Sequence, residues 1–163
     1  MNSELLIKKC QVLEKVIQKL SLIYKTSDDK KQKDYLETII GSAIWLLPTS
    51  KELYKQISKK ALAEVRNGKK WSQLTKEHIF PRKKAGRALL ENWSHKDSLV
   101  DLYMKKYGQY NLVTSTENKE LVKFQKEQVY NWKKAYQKVK IELIDMSIEQ
   151  IKSEYKNTKF NTI

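Results

Sequence analysis

One cysteine, Cys10, stands in 163 residues. A single thiol closes no internal disulfide and builds no zinc knuckle, so a reducing, cytoplasmic setting is the expected one. On an apolar helix side Cys10 reads as a small core residue. No uninterrupted run of about 18 apolar residues occurs, so nothing is expected to span a bilayer. No charged-then-apolar-then-cleavage pattern opens the chain, and no secretion signal is expected. Internal repeats and low-complexity tracts are absent from the sequence. Histidine is scarce, with only His78 and His95, and the two prolines are Pro48 and Pro81.

What the chain has in excess is positive charge, +14 at neutral pH with a pI near 9.7. An excess of that size calls for an anionic partner, nucleic acid first and a membrane surface second. Apolar residues make up 40% and charged residues 32%, enough to build a packed core.

Leu5, Leu6, Val12, Leu13, Val16, Ile17, Leu20 and Ile23 recur at helical spacing and predict an amphipathic helix over 3–25, with Ser3 as cap. Its apolar face is wide, and burial in a helical bundle explains it better than a membrane. A second helix is predicted from Lys30 to Leu47, with Tyr35, Leu36, Ile39, Ile40, Ala43 and Ile44 inward and Pro48 as its stop. A third is expected from Ser50, with Leu53, Tyr54, Ile57, Ala61, Leu62 and Val65 inward, ending at the left-handed cap Asn67-Gly68. Composition changes there. Leu74, Ile79 and Phe80 fit a strand that Pro81 ends. Arg82 to Leu90 reads as a basic helix and Lys96 to Tyr107 as another, capped by Gly108. Tyr110 to Thr114 is a second strand, Thr114 or Ser115 can cap the next helix, and Ser115 with Asn118 resembles a capping pair. The rest to about Tyr155 is expected to be helical through Leu121, Phe124, Gln125, Val129, Trp132, Tyr136, Val139 and Leu143. Ser147 to Gln150 looks like a fresh start within it.

Two stretches carry chemistry. In Glu77-His78-Ile79-Phe80-Pro81-Arg82 a carboxylate precedes an imidazole at a strand end. In Tyr110-Asn111-Leu112-Val113-Thr114, followed by Glu117-Asn118, one amide sits on a strand and another in the first turn of a helix. Neutral imidazole takes a proton from water at neutral pH. A carboxylate and an amide oxygen can hold one divalent ion, which stabilises charge on a phosphate. Neighbours in a regular strand face opposite ways, so Glu77 and His78 share a site only if a bulge or twist re-aims one of them.

These residues, in this order, resemble the HNH endonucleases with their ββα-metal core. The resemblance runs from about Leu74 to Leu121. It implies a mainly α protein with a small ββα-metal core, a helical bundle packed around a two-stranded hairpin plus helix. The expected organisation is a helical bundle over 1–70, the core over 71–125 with a helical insertion at 82–109, and C-terminal helices over 126–163. Carried over, Glu77 and Asn118 become metal ligands, His78 the general base, and Asn111 the central residue that orients it, with Gln109 as the alternative brace. The implied ion is magnesium, or manganese. No cysteine pairs flank the motif, so no structural zinc is expected. Arg82, Lys83, Lys84 and Arg87 read as phosphate contacts beside the site.

Plainer readings stand beside these. His78 can be a half-buried histidine bonded to backbone, Glu77 a solvated partner of Lys76, Asn118 a helix-start residue, and the basic run a solubility face. Trp71, Trp93 and Trp132 read as packing residues, and His95, beside Asp97, as a surface residue. The expected function is metal-dependent hydrolysis of phosphodiester bonds in double-stranded DNA, of restriction-like or phage-associated type. Cutting both strands from a single-metal site would call for a homodimer. The alternatives are a non-catalytic nucleic-acid-binding protein and an RNA-cleaving toxin using the same residues.

Overall fold

The computed structural model describes residues 3–94, 98–125 and 130–160, with the side chains of residues 3 and 158–160 left aside. His95, Asp97 and Val129 therefore lie outside the described residues. The elements in order are α1 (Ser3–Thr26), α2 (Lys30–Trp45), β1 (Tyr54–Ser58), α3 (Lys59–Arg66), β2 (Thr75–His78), α4 (Arg82–Asn92), α5 (Leu99–Leu102), β3 (Tyr110–Val113), α6 (Ser115–Gln125), α7 (Trp132–Lys138), β4 (Leu143–Ile144) and α8 (Ile148–Phe160). The protein is mainly helical with one small mixed sheet. No described helix is long and apolar enough to cross a membrane.

The chain divides into two compact units. The first takes in the described residues of Met1–Leu53 and Phe80–Gln109, and the second those of Tyr54–Ile79 and Tyr110–Ile163. In the first, α1 and α2 pack with α4. Leu6, Cys10, Leu13 and Ile17 of α1, Leu36, Ile40 and Ile44 of α2, and Ala85, Leu89 and Leu90 of α4 are buried there. Asp29 caps α2 by accepting from the Lys31 N–H at 2.8 Å. Helices α2 and α4 approach so closely that only glycine fits at two points. A Cβ on Gly86 would lie 2.1 Å from the Glu37 carbonyl oxygen, and one on Gly41 2.4 Å from that of Arg82. Buried Glu37 ties the group together. It accepts from the Tyr24 hydroxyl at 2.8 Å and from Arg87 Nε and Nη2 at 2.8 and 3.1 Å.

The helices differ from expectation in two respects. The helix expected from Ser50 is instead a 3₁₀ turn (Lys51–Leu53), then β1, then the shorter α3. The helix that joins α1 and α2 is α4, from the stretch expected to fold out as an insertion. The wide apolar faces are also narrower than expected. Tyr35 is 66% and Val12 65% exposed, while Glu37 is buried.

The second unit is built on a four-stranded sheet in the order β2-β3-β1-β4. β2 and β3 are antiparallel, β1 runs parallel to β3, and β4 is antiparallel to β1. Ile57 of β1 and Leu112 of β3 pair in the middle and are buried. Asn67 and Gly68 close α3 as expected, with Gly68 at φ 92°. The Gly68 and Lys69 N–H groups return to the Val65 and Glu64 carbonyls, the double closure that a left-handed residue permits.

The helix expected from Thr116 to Tyr155 is broken into α6, α7 and α8 with β4 between, so Leu143 is a strand residue. Lys140, at φ 55°, turns the chain out of α7. The start expected at Ser147 is present. Ser147 Oγ accepts from the Gln150 N–H at 3.2 Å and Gln150 Oε1 from the Ser147 N–H at 2.7 Å. Val113, Leu121, Ala135, Tyr136 and Ile141 form the core between sheet and helices.

Candidate functional site

The two stretches singled out in the sequence meet at the β2–β3 pair. Glu77 stands opposite Asn111 and His78 opposite Tyr110, and the register is unbroken from Thr75↔Val113 onward. β3 leads through Thr114 into α6, and α4 and α5 stand between β2 and β3 in the chain. The bulge that would bring Glu77 and His78 onto one side is not there. The strand stays regular through His78, and its alternation sends the two side chains to opposite faces.

The Glu77 face is a closed polar network. Glu77 is 1% and Asn111 0% exposed. The Tyr136 hydroxyl of α7 donates to Glu77 Oε2 at 2.7 Å and accepts from Asn111 Nδ2 at 3.2 Å. Gln125 Nε2, at the end of α6, donates to Glu77 Oε1 at 3.2 Å. Asn111 Oδ1 accepts from the Gln56 backbone N–H at 3.2 Å and so joins β3 to β1. Burial drives the Glu77 carboxyl up to about 7, against the lowering effect of its bonds to Tyr136 and Gln125. The Tyr136 hydroxyl is raised far above the usual phenol range, first by burial and then by the charge of Glu77.

The His78 face is aromatic. The Tyr110 ring lies 6.4 Å from the imidazole and 6.1 Å from the Tyr54 ring, centre to centre. Lys76 Nζ stands 5.3 Å from the centre of the Tyr110 ring. His78 is 9% exposed and so nearly buried.

Asn118 is half-buried, and its N–H bonds to the Thr114 carbonyl. The α6 residue that reaches Glu77 is Gln125, two turns further on, roughly 10 Å along the axis. Of the two cap candidates for α6 the structure uses Thr114, with Glu117 as its partner in place of Asn118. Thr114 Oγ1 accepts from the Glu117 N–H at 3.1 Å, and Glu117 Oε2 accepts from the Thr114 N–H at 2.9 Å. Asn118 is thereby released from the capping role that Ser115 with Asn118 suggested. Gln109 bonds through Nε2 to the Met104 carbonyl at 3.4 Å, while Asn111 occupies the position opposite Glu77.

Among the described residues no three His, Cys, Asp or Glu side chains gather closely enough to hold an ion. Magnesium keeps several waters and demands near-octahedral room. Glu77 is sealed from solvent with a donor on each oxygen, so as arranged Glu77 and Asn118 do not fit such an ion. The carboxylate becomes a ligand only where Gln125 and Tyr136 give it up.

The basic run lies on α4 in the first unit. The Arg82 guanidinium stands 5.1 Å from the centre of the Trp45 ring. Lys83 pairs with Asp34, Lys84 is half-buried, and Arg87 forks onto Glu37. Arg87 is thus engaged inside its own unit, a constraint that a string of basic residues does not reveal.

Tyr136, Gln125 and Gln56 are the site residues that sequence reasoning missed. Two of them carried a signal. Gln125 is an amide in an otherwise apolar stripe, and Tyr136 is a core position whose hydroxyl needs a partner when buried. The partner of both is the carboxylate 48 and 59 residues earlier. In comparison with known proteins, no family model matches the chain, and no curated protein or solved structure matches it either.

Proposed function

We propose that the protein is a nuclease of HNH type that hydrolyses phosphodiester bonds in double-stranded DNA, with His78 as general base. What supports the reading is one observation, the antiparallel strand pair in which Glu77 stands opposite Asn111 and His78 ends the first strand. The net charge of +14 suits a polyanionic substrate. In this reading the imidazole takes the proton of the attacking water, and Asn111 fixes β3 to β1 so that the strand end stays in place. The magnesium or manganese that the resemblance implies would need Glu77 freed from Gln125 and Tyr136. Metal dependence is therefore part of the test.

A plasmid-nicking assay decides it. Supercoiled DNA with magnesium or manganese is expected to be nicked by the wild type, to stay intact with chelator, and to stay intact with His78→Ala. Equal cutting by wild type and variant would refute it. Cleavage of RNA alone, lost in the same variant, would move the activity to the RNA-directed alternative.

A second reading has its own support in the sealed state of Glu77. A carboxyl held by tyrosine and glutamine in a closed core is a structural group, and the chain is then a non-catalytic nucleic-acid-binding protein. That reading expects DNA binding that ignores both metal and His78→Ala.

A further inference from the structure

The end of α1, the start of α2 and the second half of α4 enclose a recess of about 580 Å³ in the first unit. That size falls within the range of small-molecule sites, roughly 300–1,000 Å³. Its inner part is Tyr24 and Glu37, 5% and 3% exposed. The Glu37 backbone lies against Gly86, which brings Arg87 within reach of the Glu37 carboxylate. Lys30, Lys33 and Glu37 follow at spacings of three and four on α2, and Arg87 and Glu91 at a spacing of four on α4. Each set therefore shares one side of its helix. Lys25 joins them from the last turn of α1.

The acids of this recess are largely spent, and its cations are not. Glu37 takes the Tyr24 hydroxyl and the Arg87 fork. Asp34 is paired with Lys83. Among the described residues no carboxylate pairs with Lys25, Lys30 or Lys33. Lys33 Nζ stands over the Tyr24 ring, 5.2 Å from its centre. Ammonium groups gathered without a counter-charge repel one another, and an anion with several oxygens relieves that while taking their hydrogen bonds. Glu91 is the exception among the acids. It receives only the Tyr24 hydroxyl, at 3.5 Å, so most of its accepting capacity is unused. An ion that is anionic all round meets Glu91 as a like charge, whereas a hydroxyl gives it a donor. The complement is a small phosphate ester whose body carries hydroxyl groups.

We propose that this recess binds a sugar-phosphate group, either free or as part of a nucleotide. Lys25, Lys30 and Lys33 hold the phosphate, and Glu91 accepts a hydroxyl of the sugar. The proposal does not rest on the nuclease reading.

The test is titration calorimetry on the full chain with ribose 5-phosphate, ADP, ribose and inorganic phosphate. Ribose 5-phosphate is expected to bind at least ~10-fold more tightly than inorganic phosphate, and ribose not at all. ADP binding more tightly than ribose 5-phosphate would assign the recess to a nucleotide, and the reverse order to a free sugar phosphate; either order upholds the proposal. Lys25→Ala with Lys30→Ala should weaken ribose 5-phosphate at least ~10-fold. Far-UV circular dichroism and the thermal melt should stay unchanged, since both lysines are exposed. Glu91→Ala should bring ribose 5-phosphate down to the level of inorganic phosphate and leave inorganic phosphate no weaker than before. The proposal is overturned if neither ester binds, if inorganic phosphate binds as tightly as both, or if binding survives the lysine variant. It is overturned too if that variant weakens a DNA duplex while neither ester binds to the wild type, which would make the recess a contact for nucleic acid.

Discussion

Glu77 concentrates most of what is unusual at the residue scale. It is a carboxyl with no solvent and two neutral donors, and burial raises it from 4.5 to about 7. Between those values the folded protein holds a proton that the unfolded chain releases. Stability is therefore highest below the unfolded value and falls as the pH rises through about 7. The displacement corresponds to roughly 3 kcal/mol once the group is ionised in the fold. Glu77→Gln keeps the shape and removes the charge. Urea melts should show the variant close to wild type at pH 5 and more stable than wild type at pH 8, by up to roughly 3 kcal/mol. A wild-type midpoint that is flat between those two pH values would mean that the carboxyl is not sealed. This measurement is independent of activity, so it tests the closed network whether or not the protein cleaves DNA.

At the scale of elements, Glu117 fastens two helix starts at once. Ser58 ends β1 and caps α3 by accepting from the Ala61 N–H at 3.0 Å. The same hydroxyl donates to Glu117 Oε2 at 2.6 Å, where the Thr114 N–H also arrives. Both Ser58 and Glu117 are buried. Ser58→Ala removes a cap and strips a charged acceptor of a donor, so it should cost roughly 2–3 kcal/mol in chemical unfolding. Paired with Glu117→Gln in a double-mutant cycle, the loss should be clearly non-additive. Additive losses would mean that the two residues act separately. None of this was legible from Ser58, which the sequence placed inside a helix. Leu53, Tyr54, Ile57 and Ala61 satisfy helical spacing, and an apolar run that short does not tell strand from helix. What decides is pairing with Tyr110 and Leu112, more than 50 residues away. By contrast β2, β3, the Asn67-Gly68 end and the Ser147 start were legible, because each rests on neighbours in sequence. The candidate site divides the same way. Glu77, His78 and Asn111 lie on the strands expected, but the groups that engage them come from β1, α6 and α7. The α1 stripe was read as wholly buried because periodicity counts apolar residues without showing how many its neighbours can cover.

At the scale of the whole molecule the decisive property is charge. The described ion pairs include Lys8 with Glu4, Arg66 with Glu154, Lys69 with Glu64, Lys83 with Asp34, Arg87 with Glu37 and Lys123 with Glu120. Such pairs consume anions one for one, so the chain's excess of +14 is untouched by them. An exposed excess of that size binds polyphosphate chiefly by releasing condensed counterions, and the affinity then falls linearly on a log–log plot against salt. If the protein covers about five phosphates, binding to a 30-base-pair duplex should weaken on the order of 500-fold between 50 and 200 mM salt. His78→Ala should leave that slope unchanged, since a neutral imidazole releases no counterion. Lys83→Ala tests the basic run directly. Its ammonium pairs with Asp34 on an exposed surface, where such a bond is weak. If DNA competes for that lysine, the slope should drop by nearly one. Anisotropy titrations at four salt concentrations with chelator present measure this without cleavage. A salt slope near zero for the wild type would remove nucleic acid as the partner, and with it both functional readings.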